Sequence, residues 1–397
     1  MKQPIVCFRD GAMTQVAKIL DRLSARKLFF VVDEPAYTAS GADKCLEPYL
    51  HSQSVTRFSN FELNPKLHDI ERGVRLMRET NPDVVIALGG GTAIDLGKLV
   101  GTLATQDGSA RDIIIGRDRI QQTSPPLVAI PTTAGTGSEA THFAVAYVDR
   151  EKYSIAHPSM LPAYAIVDPT LTLSLPADIT AATGLDAFCQ AIESIWAVGA
   201  TDESVAYATD ALRLAFQQLP NAVNKPTVDA RRSMCRAAHL AGKAINISKT
   251  TSSHALSYSI TENYGVPHGI AVALTLSPML AYNAQVSAAD CNDPRGPRHV
   301  LDRIRLILDL LEAEDVAAGC AKIENLISRV GCLHSLQELG IETDASILQI
   351  VNQVNAHRLS NNPRQSDSET LFTVLKAASR AIPTDRTDLE TAREPSQ

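Results

Sequence analysis

The stretch from Ser252 to Gly269 carries two histidines, His254 and His268, on either side of a turn. His254 begins a helix-like run and His268 sits in the corner Pro267-His268-Gly269, so a folded-back chain brings the two imidazoles together. Such a pair can hold a metal ion or act as acid and base. A lone histidine in a helix is more often an ordinary pocket or core residue. A third group lies in Thr183 to Glu193, TGLDAFCQAIE, where Asp186 and Gln190 are four apart and share a helix face. Asp186 with His254 and His268 makes one carboxylate and two imidazoles, a set that suits Fe(II) with positions open to a substrate. The plainer reading of Asp186 is an acid near a helix N-terminus, favoured there by the dipole.

Two glycine-rich stretches offer a different chemistry. Ala87 to Lys98, ALGGGTAIDLGK, sets three glycines between a strand and a helix, where bare backbone N–H groups can approach a pyrophosphate. It is not the usual GxGxxG, and a tight turn is the competing reading. Within it, Asp95 and Lys98 are neighbours on one helix face, so an intrahelical ion pair is the simple expectation for them. Pro131 to Glu139, PTTAGTGSE, also follows a strand, and its hydroxyls and glycines can line a phosphate and a ribose. Two such loops at successive strand ends lie on the edge where α/β sheets place ligands. Asp33, ending an earlier strand, could accept hydrogen bonds from a ribose diol and repel a 2'-phosphate, which favours NAD(H) over NADP(H). It could equally be a surface turn residue.

The elements that must position these groups fall into two halves. A helical pattern from Met13 to Leu23 precedes the strand-length run Lys27 to Glu34, and a second from Leu67 to Arg78 leads into the strand Asp83 to Leu88, after which Thr92 opens a helix. Leu127 to Ile130, Ala144 to Val148 and Tyr164 to Val167 read as further strands. This alternation predicts a largely parallel sheet covered on both faces. After Asp168-Pro169 the chain reads as helices starting near Pro176, Thr201, Thr227, Thr250, Pro267, Pro297, Val316 and Asp344. We therefore expect an α/β domain over 1–170 and an all-helical domain over 171–397, with a loose polar tail from Pro383.

Composition narrows the function classes. The 397 residues exceed one ordinary core. The formal charge of -7 is spread without a basic block, which disfavours nucleic acid as a partner. Seven cysteines, far apart and without a CxxC pair, suit reduced thiols in a cytosol. The N-terminus lacks a signal-peptide core and no apolar run is long enough to span a bilayer, so a soluble cytoplasmic protein is expected.

Taken together these segments resemble the iron-containing (group III) alcohol dehydrogenase family over nearly the whole chain. GGGTAIDLGK looks like that family's GGGSxxDxxK loop, PTTAGTGSE is almost letter for letter its second cofactor loop, and TGLDAFCQAIE resembles its GxDAxxHAxE helix. The resemblance implies an N-terminal dinucleotide-binding α/β domain, a helical C-terminal domain, an active site in the cleft between them and a homo-oligomer, commonly a dimer. It also implies that Asp33, Asn64, Gly89, Gly90, Gly91, Thr92, Asp95, Thr132, Thr133, Ser138 and Lys152 contact the cofactor and that Asp186, His254 and His268 hold Fe(II) or Zn(II). Two positions depart from the pattern. Gln190 stands where the family has a histidine ligand, and a neutral amide oxygen is a poorer ligand than imidazole, so weaker metal binding is expected. Tyr258 stands where a further histidine is frequent, and its phenol can still relay a proton.

Within the family, Thr141 to Pro162, Glu193 to Ala197, Lys249 to Tyr258 and Asn361 to Arg364 look most like the subgroup that reduces phosphonoacetaldehyde to 2-hydroxyethylphosphonate. The substrate expected is thus a small aldehyde bearing a phosphonate, whose charge would seek His142, His157, Lys243, Lys249 or Arg364, with His142 first. Metal bound by Asp186, His254 and His268 would polarise the aldehyde, and a metal-bound water, Tyr258 or a nearby histidine could supply the proton. Without a metal, the Gln190 amide N–H and a protonated His268 could stabilise the oxyanion instead. The competing readings are a reductase of lactaldehyde, a semialdehyde or a simple alkanal, a dehydroquinate-synthase-like lyase that turns over no net NADH, and a non-catalytic sensor.

Overall fold

Short runs rich in valine, isoleucine and phenylalanine build the first half, and a computed structural model describes them within residues 3–379, apart from 150, 333–334 and 355–358. Six strands form one parallel sheet: β1 (Ile5–Phe8), β2 (Lys27–Val32), β3 (Ser54–Phe58), β4 (Val84–Gly89), β5 (Leu127–Pro131) and β8 (Tyr164–Val167), in the order β1-β8-β5-β4-β2-β3. β4 and β5 are buried along their whole length, as expected of strands covered on both faces. The alternation in β2 shows the two layers. Phe29 and Val31 pack under α4 (Leu67–Thr80) and α5 (Gly91–Leu103), while Leu28, Phe30 and Val32 pack with α1 (Gln15–Arg22) and α3 (Ala42–Leu50). Two shorter helices, α2 (Glu34–Ala39) and α6 (Ala110–Ile114), complete this half.

The strand order reverses between β2 and β4, because β3 adds to one side of β2 and the later strands to the other. That reversal opens a crevice at the carboxyl ends, and both Asp33 and the triple glycine lie there. The strand expected over Ala144 to Val148 exists, but outside the parallel sheet. β6 (Phe143–Val148) pairs antiparallel with β7 (Glu151–Ala156) as a separate hairpin. Its alternating burial explains the difference: Ala144, Ala146 and Val148 face the core and the residues between them do not, the pattern of a one-sided ribbon.

No strand lies among the described residues beyond Val167. The helices are α7 (Ala177–Trp196), α8 (Asp202–Asn224), α9 (Val228–Ser248), α10 (Ser252–Tyr264), α11 (His268–Asn283), α12 (Pro297–Leu310), α13 (Val316–Arg329), α14 (Asp344–Asn352) and α15 (Ser368–Ala378). Threonine side chains set several starts: Thr201, Thr227 and Thr343 each accept a backbone N–H of the first turn. Each such cap contributes about 1 kcal/mol. α7 is buried on every side from Leu185 to Trp196 and is the axis around which α8, α9 and α11 pack. The tail expected from Pro383 lies outside the described residues.

The halves meet along α9. His239, Gly242 and Asn246 share one face, and they seat the end of the second glycine-rich loop and His142 just after it. His239 Nδ1 lies 3.0 Å from Glu139 Oε1, and Asn246 Oδ1 accepts the His142 N–H at 2.8 Å. Between them Gly242 and Gly137 meet backbone to backbone. A Cβ on Gly242 would lie 2.5 Å from the Gly137 carbonyl oxygen, and no flexible side chain is there to yield. Gly242→Ala is therefore expected to cost about 1–3 kcal/mol in denaturant unfolding; an alanine variant as stable as the wild type would show the seam to be loose.

Candidate functional site

Three helices bring the predicted ligands together. Asp186 stands at the middle of α7, His254 in the first turn of α10, and His268 at the first position of α11. One donor atom from each lies within 4.8 Å of the others. His254 Nε2 is 3.2 Å and His268 Nε2 4.0 Å from Asp186 Oδ1. Asp186 is thus no N-terminal helix acid, because it lies in the middle of α7, is buried and faces imidazoles, not free N–H groups. His268 reaches it because Gly269 lets α11 touch α7: a Cβ there would sit 1.9 Å from the Ala182 carbonyl oxygen.

The electrostatics of this cluster are self-consistent. Burial works to raise the Asp186 pKa, but the hydrogen bond from His254 and the positive fields of His268 and His254 hold the carboxyl below its ordinary range. Burial likewise works against a charged His254, yet Glu193 and Asp186 lift it to about 9. A carboxylate beside two imidazoles is the donor set of a divalent cation, which on binding displaces that proton.

Glu193, for which sequence reasoning proposed no role, organises the site from behind. It is fully buried, one helical turn pair beyond Asp186 on α7. Its Oε2 accepts from His254 Nδ1, which leaves Nε2 to face Asp186. Its Oε1 accepts the Thr251 hydroxyl at 2.7 Å and the N–H groups of Thr251, Ser253 and His254 at 3.2, 3.0 and 3.3 Å. The Trp196 indole donates to Thr251 Oγ1 at 2.9 Å. The sequence signal was the spacing itself, since Asp186, Gln190 and Glu193 recur at helical intervals.

The remaining face of the site belongs to Gln190 and Tyr258. Gln190 Nε2 donates to the Thr136 carbonyl at 3.4 Å, while Oε1 is buried with no hydrogen-bond partner. Tyr258 stacks on His268 with ring centroids 5.9 Å apart, and Lys152 Nζ sits 3.6 Å above the Tyr258 ring.

The glycine loops make a cradle next to this cluster. α5 begins at Gly90-Gly91-Thr92 without a side-chain cap, so its first-turn N–H groups suit a phosphate. Thr132 Oγ1 is buried with no partner at the end of β5, beside Thr133, and the Asn64 N–H donates to Thr92 Oγ1 at 3.2 Å. Asp33 caps α2 by accepting the Ala36 N–H at 3.1 Å, and its Cβ lies beside Gly89. These features fit a dinucleotide.

Asp95 and Lys98 do more than pair. Lys98 is buried, and its Nζ donates to Ser138 Oγ, Phe143 O and Thr141 Oγ1 at 2.7, 2.8 and 2.9 Å, with Asp95 farther off at 3.8 Å. Asp95 accepts from Ser138 Oγ at 2.6 Å and Val145 N at 2.9 Å. Asp95 and Lys98 staple the helix after the first glycine loop to the second loop and the strand after it, which the helical spacing alone did not reveal.

The basic candidates for an anionic substrate scatter. His142 Nδ1 lies 2.5 Å from Asn246 Oδ1, and His157, whose N–H donates to the His142 carbonyl at 3.0 Å, is kept below the ordinary histidine range by burial and by His142. Lys249 is the exposed C-cap of α9. Lys243 lies over the Tyr207 ring at 3.9 Å. Arg364 is committed elsewhere: its Nε donates to Asp290 at 2.6 Å and its Nη1 to the Tyr282 carbonyl at 2.8 Å, with Tyr282 beneath it. Its guanidinium locks a turn.

Two outcomes follow from these contacts. Glu193→Gln should weaken divalent metal binding about 10–100-fold, read by competition with a chelator. Burial depresses the Lys98 pKa to about 8 from 10.5. The unfolded chain therefore takes up a proton between those values, and this residue's contribution to stability rises as pH climbs from 8 toward 10.5. The difference in unfolding free energy between wild type and Lys98→Met should move in favour of the wild type over that window; a pH-independent difference would count against a titrating Lys98.

Comparison with known proteins agrees with this geometry. A family model described as iron-containing alcohol dehydrogenase matches residues 4–169, and one described as the C-terminal part of the Fe-containing alcohol dehydrogenase family matches residues 180–379. Phosphonoacetaldehyde reductase of Streptomyces viridochromogenes is 36% identical over 319 residues, 76% of this chain and 77% of that one. NAD-dependent methanol dehydrogenase of Bacillus methanolicus is 27% identical over 380 residues, 94% and 98% of the two chains. The crystal structure of sulfoacetaldehyde reductase from Bifidobacterium kashiwanohense in complex with NAD+ matches with a TM-score of 0.85 at 30% identity, covering 96% of this chain and 98% of that chain. The protein belongs to the iron-containing alcohol dehydrogenase family and is a nicotinamide-dependent alcohol dehydrogenase or aldehyde reductase.

Proposed function

We propose that the protein reduces a two-carbon aldehyde with an anionic head, phosphonoacetaldehyde, to 2-hydroxyethylphosphonate. The observation that carries the substrate is the similarity to phosphonoacetaldehyde reductase, supported by the likeness to a sulfoacetaldehyde reductase. Phosphonate and sulfonate are both tetrahedral anions, so a shared pocket chemistry connects the two names. The second likeness also favours sulfoacetaldehyde as the alternative substrate.

In this reading the α/β half, ending near residue 170, binds the nicotinamide through Gly89 to Thr92, Thr132, Thr133, Asn64 and Lys152, and the helical half holds the metal. Asp95 and Ser138 act on the cofactor through the loops they brace. The Asp33 carboxylate at the crevice favours NADH over NADPH, since a 2'-phosphate would meet a like charge. Bound cofactor supplies the hydride, and a bound divalent cation, Fe(II) or Zn(II), supplies Lewis acidity toward the carbonyl oxygen. Asp186, His254 and His268 would hold that cation. Glu193 keeps the His254 Nε2 lone pair directed into the site. The Tyr258 hydroxyl, on the ring stacked against His268, gives its proton to the nascent alkoxide. With Arg364 locked in its turn, the anionic head falls to His142, His157 and Lys249. The enzyme works in the cytoplasm as a homodimer; among the described residues no helix is long and apolar enough to cross a membrane.

NADH oxidation measured with phosphonoacetaldehyde, sulfoacetaldehyde, lactaldehyde, propanal and acetaldehyde decides the substrate. We expect kcat/KM for the phosphonate to exceed that for the simple alkanals on the order of 100-fold, to collapse on chelation and to return with Fe(II) or Zn(II). Preference for an uncharged aldehyde would overturn the anionic pocket, and activity surviving complete metal removal would overturn the metal's role.

A further inference from the structure

The turn that carries Asp33 has an arginine against it. Arg57 stands on β3 beside Phe30 of β2, and its guanidinium reaches the first turn of α2, the helix that Asp33 caps. There Nη1 lies 3.3 Å from Oε1 of Glu34, the residue after Asp33. Nη2 is paired with Oε1 of Glu47 from α3. Two rings keep the guanidinium in this place, with the Phe30 and Tyr37 centroids 5.6 and 5.5 Å from its carbon, and the Tyr37 hydroxyl donates to the same Glu47 oxygen at 3.1 Å. A single exposed ion pair is weak, but here two carboxylates share one guanidinium. Arg57 also lines an open cavity of about 370 Å³ with Arg72 and Arg75, in whose wall Glu79 is the one acid.

Asp33 and Arg57 argue for opposite cofactors. A carboxylate at this place accepts the ribose diol of NAD, whereas an arginine nearby accommodates the 2'-phosphate of NADP. The guanidinium fork is well matched to phosphate oxygens. Left unpaired, Arg57 would offset the repulsion that Asp33 exerts on that phosphate. We infer that Arg57 is a masked 2'-phosphate ligand and that Glu34 and Glu47, by holding it, determine cofactor choice together with Asp33. The inference rests on the reading of Asp33 as the carboxylate that selects NADH. The chain then rejects NADPH twice, by a repelling charge and by occupying an arginine that would answer it.

The test is titration of the full-length protein with NADH and NADPH, followed by nicotinamide fluorescence, on wild type, Asp33→Ser, Asp33→Ser/Glu34→Gln and that double variant with Arg57→Met added. Asp33→Ser should bring the two dissociation constants closer. Adding Glu34→Gln should tighten NADPH about tenfold further while NADH moves less than about twofold, and Arg57→Met should remove that gain. If Glu34→Gln leaves NADPH binding where Asp33→Ser put it, or tightens it equally with Arg57→Met present, Arg57 is no part of cofactor choice; the inference is overturned and the Asp33 reading stands. If wild type binds NADPH as tightly as NADH, the Asp33 reading itself fails and the inference goes with it. Should the Arg57→Met protein fail to fold, 2'-AMP and 5'-AMP decide on the Asp33→Ser/Glu34→Gln protein: a gain over Asp33→Ser confined to 2'-AMP bears the inference out, and equal gains for both overturn it.

Discussion

One buried carboxylate sets the geometry on which the rest of the site depends. Glu193 has no access to water, so its oxygens must be satisfied by the protein, and the groups that satisfy it are the first N–H groups of α10 and the Nδ1 of His254. That requirement fixes where α10 starts, which tautomer His254 adopts and which way its Nε2 points. α7 carries both Glu193 and Asp186, so the same rigid helix determines the far side of the cluster. An uncompensated charge at this depth would cost several kcal/mol. The arrangement is therefore close to obligatory once the helices pack.

The cluster of Asp186, His254 and His268 and the two glycine loops come from different halves, and the close contact at Gly137 and Gly242 joins them. Backbone-to-backbone packing is stiff, since there are no side-chain rotamers to absorb a shift. Around it, Lys98 ties the helix after the first glycine loop to the second loop, and Gln190 touches that second loop from the metal side. A hydride donor and a carbonyl carbon must be held about 3–3.5 Å apart and aligned for efficient transfer. A seam without slack and a buried lysine staple serve that end. Polar groups placed away from water are costly to mispair, and so they hold position.

Much of the architecture was legible in the chain. Helix starts carry local chemistry, with threonine or proline at Pro176, Thr201, Thr227 and Pro267; the helices begin where those residues stand, and the two threonines cap them. The parallel strands read as continuous apolar runs because both their faces are covered. The hairpin β6 and β7 was half seen: β7 alternates polar and apolar residues, and partnership is a property of two segments and not of one. Arg364 looked available to an anion because no local rule couples it to Asp290 and Tyr282, which lie far back in the chain. Glu193 went without a role for the same reason, as its partners arrive from another helix.

What the sequence determined by itself was which residue types can do the chemistry and on which local element each sits: glycines at strand ends, Asp186, Gln190 and Glu193 on one helix, His254 and His268 at two helix starts. These follow from interactions within a few residues, which spacing encodes. Tertiary structure decided which of them face one another. Convergence of Asp186 with both histidines, the seat of Glu193 beneath His254, the orphaned oxygen of Gln190 and the commitment of Arg364 to a turn all depend on contacts between segments distant in the chain. Such contacts are set by the packing of whole helices against a sheet, where burial penalises every unpaired polar atom, and no local pattern records that outcome.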